Sequence, residues 1–168
     1  MRNRRFAFGT ALAIVFGVSF YAISPASSTT TNSKAAGRTL RFFEHDTQQG
    51  VVDSNEKGPT PGDRFIWSGD LFDHKGGKKL GRTGGICETI GTSPHNDSFC
   101  TASFFLAGGQ IIAQGLSDTA DLFGGKLVSW AAIVGGTGIY RSAHGSSTVV
   151  VPTDVPSQTD ADFFLYLR

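Results

Sequence analysis

Residues 99–116 read Phe99-Cys100-Thr101-Ala102-Ser103-Phe104-Phe105-Leu106-Ala107-Gly108-Gly109-Gln110-Ile111-Ile112-Ala113-Gln114-Gly115-Leu116. Two short runs, 99–107 and 110–116, flank Gly108-Gly109. Aromatic and β-branched residues fill the runs, and paired glycines supply the torsions a tight turn needs. This is the pattern of strand, turn, strand. Phe104-Phe105-Leu106 and Ile111-Ile112 are apolar at adjacent positions, and neighbours on a strand point to opposite faces. Both faces of this hairpin therefore carry large apolar groups.

The same pattern extends in both directions. Upstream, strands are expected over 40–46, ended by Gln48-Gln49-Gly50, over 64–72 after the turn Gly58-Pro59-Thr60-Pro61-Gly62-Asp63, and over 80–90 after Gly76-Gly77, with 91–98 as a loop. Downstream they are expected over 126–134, over 139–151 after Gly135-Gly136-Thr137-Gly138, and over 162–167. Few segments keep an apolar helical period. Eight strands with mostly short connections make a meander, and its stable form is an all-β, closed antiparallel eight-stranded up-and-down barrel. Closure removes exposed edges. The interior of such a barrel is filled by side chains or holds one small ligand. A two-sheet sandwich is the structural rival. Phe163-Phe164-Leu165 repeats the two-faced apolar pattern, and an apolar outer face implies a partner surface, here a homo-oligomer.

The ends and the charge bound the setting. Arg2, Arg4 and Arg5 precede an apolar run over 6–22, and Ser24-Pro25-Ala26 follows. This reads as a secretory signal peptide over 1–26, which makes the protein secreted or extracellular. An uncleaved membrane anchor is the alternative, since about 17 apolar residues is borderline for a span. Residues 27–37 are rich in Ser and Thr and read as a flexible tether, so the barrel domain occupies 38–168. The net charge is +1. Losing the leader removes three arginines and leaves 12 basic against 14 acidic residues, about −2. No basic stripe is present, so nucleic acid is not an expected partner. No membrane contact is expected after cleavage.

Two segments carry a resemblance. One is Gly62-Asp63-Arg64-Phe65-Ile66-Trp67-Ser68-Gly69-Asp70-Leu71-Phe72-Asp73 with Gly81-Arg82-Thr83-Gly84-Gly85-Ile86-Cys87. The other is Ala132-Ile133-Val134-Gly135-Gly136-Thr137-Gly138-Ile139-Tyr140 with Ala143 and Gly145. Both resemble the allene oxide cyclase family, and the second also resembles plant dirigent proteins. The likeness runs from about Phe42 to Leu167. It implies an eight-stranded barrel, often trimeric, with an apolar cavity that guides ring closure or radical coupling of reactive intermediates without metal or organic cofactor. The Gly-Gly-Thr-Gly segment also has a plain structural reading, as a hairpin turn whose glycines can take positive φ.

Glu44 and Asp46 are two apart on the first strand and share a face with Leu40 and Phe42. That apolar pair points the face inward. Carboxyls against an apolar wall have raised pKa values or need a partner, and can polarise an epoxide or deliver a proton. With the opposite strand phase, Phe43 would be inside and both acids solvated. The resemblance implies that Glu44 matches a cyclase Glu that acts on the substrate, that Asp46 stands where those cyclases carry Asn, and that His45-Asp46 is similar to a dirigent His-Asp pair. Phe42, Phe65 and Trp67 are candidate ligand-binding walls.

Cys87 and Cys100 are the two cysteines. Pairing Glu88 with Phe99 sets them opposite each other, within disulfide reach, and export favours oxidation. By resemblance, Cys87 alternatively matches a cavity-lining cysteine. His45, His74, His95 and His144 show no metal-ligand spacing. Ser68, Ser103 and Ser129 lack a nucleophile elbow. The chain also departs from its relatives. Gly69 stands where the cyclases carry Asn, Leu116 stands where dirigent proteins carry Arg, and residues 117–125 are longer than in the cyclases and lack their Tyr. The expectation is a cofactor-free cyclase or isomerase acting on a small hydrophobic ligand, with Glu44 and Asp46 as the reacting acids. The alternatives are a non-catalytic carrier of small hydrophobic ligands and an exported structural module.

Overall fold

A computed structural model describes residues 37–53, 60–91, 94–118, 128–151 and 160–168. The leader over 1–26 and the tether over 27–37, Gly37 apart, lie outside the described residues, as do residues 119–127 of the segment after the fifth strand. Eight strands follow in order: β1 Arg38–Val52, β2 Arg64–Phe72, β3 Lys79–Thr89, β4 Asp97–Leu106, β5 Gly109–Asp118, β6 Val128–Gly136, β7 Gly145–Val150 and β8 Ala161–Leu167. Each pairs antiparallel with its neighbour in sequence, and β8 returns to β1, from Arg38 opposite Leu167 to Glu44 opposite Ala161. The sheet closes into a barrel, which excludes the sandwich.

The expected strands are all present, with shifted ends. β1 runs six residues past Asp46 because the Gln-Gln-Gly stretch finds partners on β2, Gln49 opposite Trp67 and Gly50 opposite Ile66. A bulge at Thr47 accommodates the extra residue, and the Thr47 hydroxyl donates to the Ser68 carbonyl at 3.0 Å. The seventh strand starts later than expected. Gly138–Tyr140 forms a short 3-10 helix instead, stitched to the β4–β5 turn by the Ile139 N–H donating to the Gly108 carbonyl at 3.0 Å. Gly138 has φ +61, and a side chain there would strike that same carbonyl. Glycine is thus required by torsion and by space. The Gly-Gly-Thr-Gly segment turns the chain from β6 into its antiparallel neighbour β7, with Gly135 and Gly138 at positive φ as expected, and the connection runs through this packed corner.

Period-two alternation sorts the barrel. Phe42 and Glu44 of β1, Leu71 of β2, Cys100, Ala102 and Phe104 of β4, Ile111 and Ala113 of β5, Val149 of β7 and Phe163 and Leu165 of β8 are buried inside. Phe104 stands at the centre, stacked on Phe42 at 6.3 Å and edge-on to Phe163 at 5.1 Å between ring centroids. The outer face is also partly apolar, as the doubled runs imply. Phe105 is 44% exposed beneath the Arg82 guanidinium, and Phe164 lies beneath that of Arg41.

Candidate functional site

The core fills only part of the barrel. Towards the end that carries the β1–β2, β3–β4, β5–β6 and β7–β8 connections, the interior opens into a cavity. Glu44, Asp46, Phe65, Trp67, Cys87, Cys100, Trp130, Val149, Val151, Ala161 and Phe163 line it. Its volume is about 60 Å³, counted as room for water centres. At about 10–15 Å³ per water, that is space for several.

The strands explain each wall. On β2, Phe65 and Trp67 are two apart, so both face in, and their rings stack at 5.9 Å. Gly85 sits opposite Trp67 on β3, and any side chain there would strike the indole. Cys87 pairs with Cys100 across β3 and β4 at a Cα separation of 4.0 Å, and the two form a disulfide. Both sulfur-bearing residues also line the cavity, so the two sequence readings of Cys87 hold together. Phe42 is placed differently from expectation. It is buried one layer deeper, against Phe104, and is not among the lining residues.

Glu44 and Asp46 lie on the inner face, the phase expected from Leu40 and Phe42. They are the charged-type groups in an otherwise apolar and aromatic wall. Glu44 is 2% exposed. Burial pushes its carboxyl up to about 9, and repulsion from Asp46 and Asp160 adds to the rise. Burial likewise lifts Asp46 to about 6, helped by Asp160 and opposed by a hydrogen bond from Glu44 and by His45. Near neutral pH, Glu44 is therefore a neutral acid donating to an ionised Asp46. One oxygen of each, Oε1 of Glu44 and Oδ1 of Asp46, has no protein partner. Such orphaned buried oxygens are costly and mark a place where something else is meant to bond. Just outside the pair, His45 Nδ1 lies 2.9 Å from Oδ1 of Asp160.

Sequence reasoning missed the walls contributed by β6, β7 and β8. Trp130 is the clearest case. Its strand has a bulge between Ser129 and Ala131, which leaves Trp130 unpaired and turns it inward next to Ala131. Plain alternation from Ile133 would send it outward. Val149, Val151, Ala161 and Phe163 carry the ordinary inward phase, and reading that phase as cavity wall needed the barrel's closure. Among the described residues, no three or more His, Cys, Asp or Glu side chains gather as a metal site.

Comparison with known proteins places the fold. Residues 43–165 match the model of the allene oxide cyclase barrel-like domain. A structure titled pyocyanin demethylase is 27% identical, with a TM-score of 0.65 over 78% of this chain and all of that one. The exo-specific intermolecular Diels-Alderase AbnU is 22% identical, with a TM-score of 0.63 over 79% of this chain and 98% of its own. The pterocarpan synthase dirigent protein PsPTS1 is 19% identical, with a TM-score of 0.60 over 79% and 94%. No curated protein matches the chain by sequence. A family match over residues 43–165, on a closed eight-stranded barrel with a one-ended cavity, means that this chain belongs to the allene oxide cyclase barrel-like family.

Proposed function

We propose that this protein takes a small apolar molecule into the barrel and directs its cyclisation or isomerisation without a cofactor. The observation that carries this reading is the pair of coupled carboxyls, one neutral and one ionised, set in an apolar wall. When a molecule is bound, the single O–H of neutral Glu44 can turn from Asp46 to an oxygen of that molecule and donate its hydrogen bond or its proton there. Asp46, with a pKa of about 6, is matched to accept a proton near neutral pH. Phe65, Trp67 and Trp130 would hold the substrate in its folded, reactive shape, and this positioning would supply much of the rate. The Diels-Alderase and dirigent neighbours share the barrel, which supports a role in steering a reactive intermediate.

Glu44→Gln tests the reading against a conjugated epoxide probe. The variant keeps the shape and a donor but cannot transfer a proton. Turnover is expected to fall by about 10²–10⁴-fold. Unchanged turnover would remove Glu44 from the mechanism. A carrier of small hydrophobic ligands is the second reading, favoured by the apolar rest of the wall. It predicts ligand affinity retained in the Glu44→Gln, Asp46→Asn double variant, with no turnover by the wild type. The proposal includes export and self-association, from the leader and from exposed Phe99, Phe105 and Leu116. Protein collected from culture medium should start near residue 27 and scatter light as an oligomer. A full-length monomer would refute both.

A further inference from the structure

Gly69 lies within β2, opposite Asp46 on β1, and is buried. A glycine inside a strand weakens it and commonly marks a close approach of other atoms. Its backbone is not among those with positive φ, so torsion does not call for glycine here. Space does. A Cβ built on Gly69 would lie 2.7 Å from Oε1 of Glu44, 2.8 Å from its Cγ and 2.7 Å from the His45 carbonyl oxygen. Real Cβ atoms essentially never come so near, so the volume that any side chain at position 69 needs is already taken, mostly by the Glu44 side chain itself.

We infer that Gly69 is a positioning residue for the cavity acid: its missing side chain leaves the slot against β2 in which the Glu44 carboxyl is held, out of water and beside Asp46. A side chain in that slot would push the carboxyl away from β2 and further out of the cavity wall, where water can reach it. Burial is the chief cause of the raised Glu44 pKa, so losing the slot should return the group towards the ordinary carboxylate range. The other charged groups around the slot are accounted for. Asp46 on β1 and Asp160 ahead of β8 both oppose ionisation of Glu44. His45 engages Asp160, and Asp70, the next residue on β2, is paired with Lys79 at 2.7 Å. Across the cavity, Cys87 and Cys100 are joined and do not titrate.

The inference rests on Glu44 being the proton-bearing group of the cavity, but its test needs no turnover and so fails or succeeds separately. The neutral carboxyl of Glu44 gives an infrared carbonyl band, identified by its loss in Glu44→Gln. In Gly69→Ala, the midpoint at which that band disappears should fall by at least one pH unit. A folded Gly69→Ala protein with the wild-type midpoint would overturn the inference. Stability gives a second reading that does not depend on the titration. In the Glu44→Ala background the clash reduces to the His45 carbonyl oxygen, so Gly69→Ala should lower the folding constant at least tenfold less there than in the wild type. An equal loss in both backgrounds would show that Gly69 serves the backbone alone, and would also overturn it.

Discussion

The two halves of the barrel interior obey one alternation and end in opposite states. In the closed half, Phe42, Leu71, Phe104, Ile111 and Leu165 meet in a solid core, all at or below 4% exposure. In the open half, the same inward positions carry Glu44, Asp46, Phe65, Trp67 and the Cys87–Cys100 bridge around a cavity. The closed half stabilises by apolar burial. The open half carries two buried carboxyl oxygens without a protein partner and a displaced proton equilibrium, both of which cost stability, whereas the closed half leaves only a hydroxyl, Ser147 Oγ, in that state among its described inward side chains. Strand geometry positions the site, while the closed core supplies the stability that lets the site remain costly.

Raising the pH should pull the halves apart most. Between about 4.5 and about 9, folded Glu44 keeps its proton and unfolded Glu44 has lost it. The folded state then binds more protons, so stability falls as pH rises through this window, by at most about 1.4 kcal/mol per pH unit. Asp46 adds in the same direction between 3.8 and about 6. Urea midpoints from pH 5 to 9 should decline steeply in the wild type and much less in Glu44→Gln, a difference of several kcal/mol at the alkaline end. Parallel curves would mean that Glu44 is not a buried neutral acid.

The closed half can be attacked directly. Phe104→Ala removes the ring that Phe42 and Phe163 pack upon and should cost about 3–5 kcal/mol by chemical denaturation at any pH in this range. A loss under about 1 kcal/mol would mean that the core does not centre there. The smallest of the three effects is lacing of the open half. The bridge spans a sequence separation of 13, and replacing both cysteines with alanine should cost about 3 kcal/mol or less. Amide exchange should quicken at the cavity ends of β3 and β4 and stay slow around Phe104. Uniform quickening would make the halves a single unit.

Much of this was legible because it is local. Hairpin pairing follows from short turns, so β3 against β4 sets Cys87 opposite Cys100, and period two sets Glu44 and Asp46 on one face with Leu40 and Phe42, while burial in the closed barrel decided that this face is the inner one. What escaped is what alternation alone cannot carry. The bulges at Thr47 and Trp130 break the period, so the extended β1 and the inward indole were hidden. Phe42 shares a face with Glu44, yet its depth along the barrel assigns it to the core.

The residues by themselves determined the strand count, which side chains share a face, that Cys87 and Cys100 can stand opposite each other and that Glu44 and Asp46 lie side by side on one strand face, because each depends on neighbours close in sequence. Only the closed tertiary structure decided that β8 meets β1, that β6 to β8 complete the cavity, that Asp160 and Gly69 bear on Glu44, and that its proton is held. Those facts depend on burial, and burial exists only once strands distant in sequence have excluded water together.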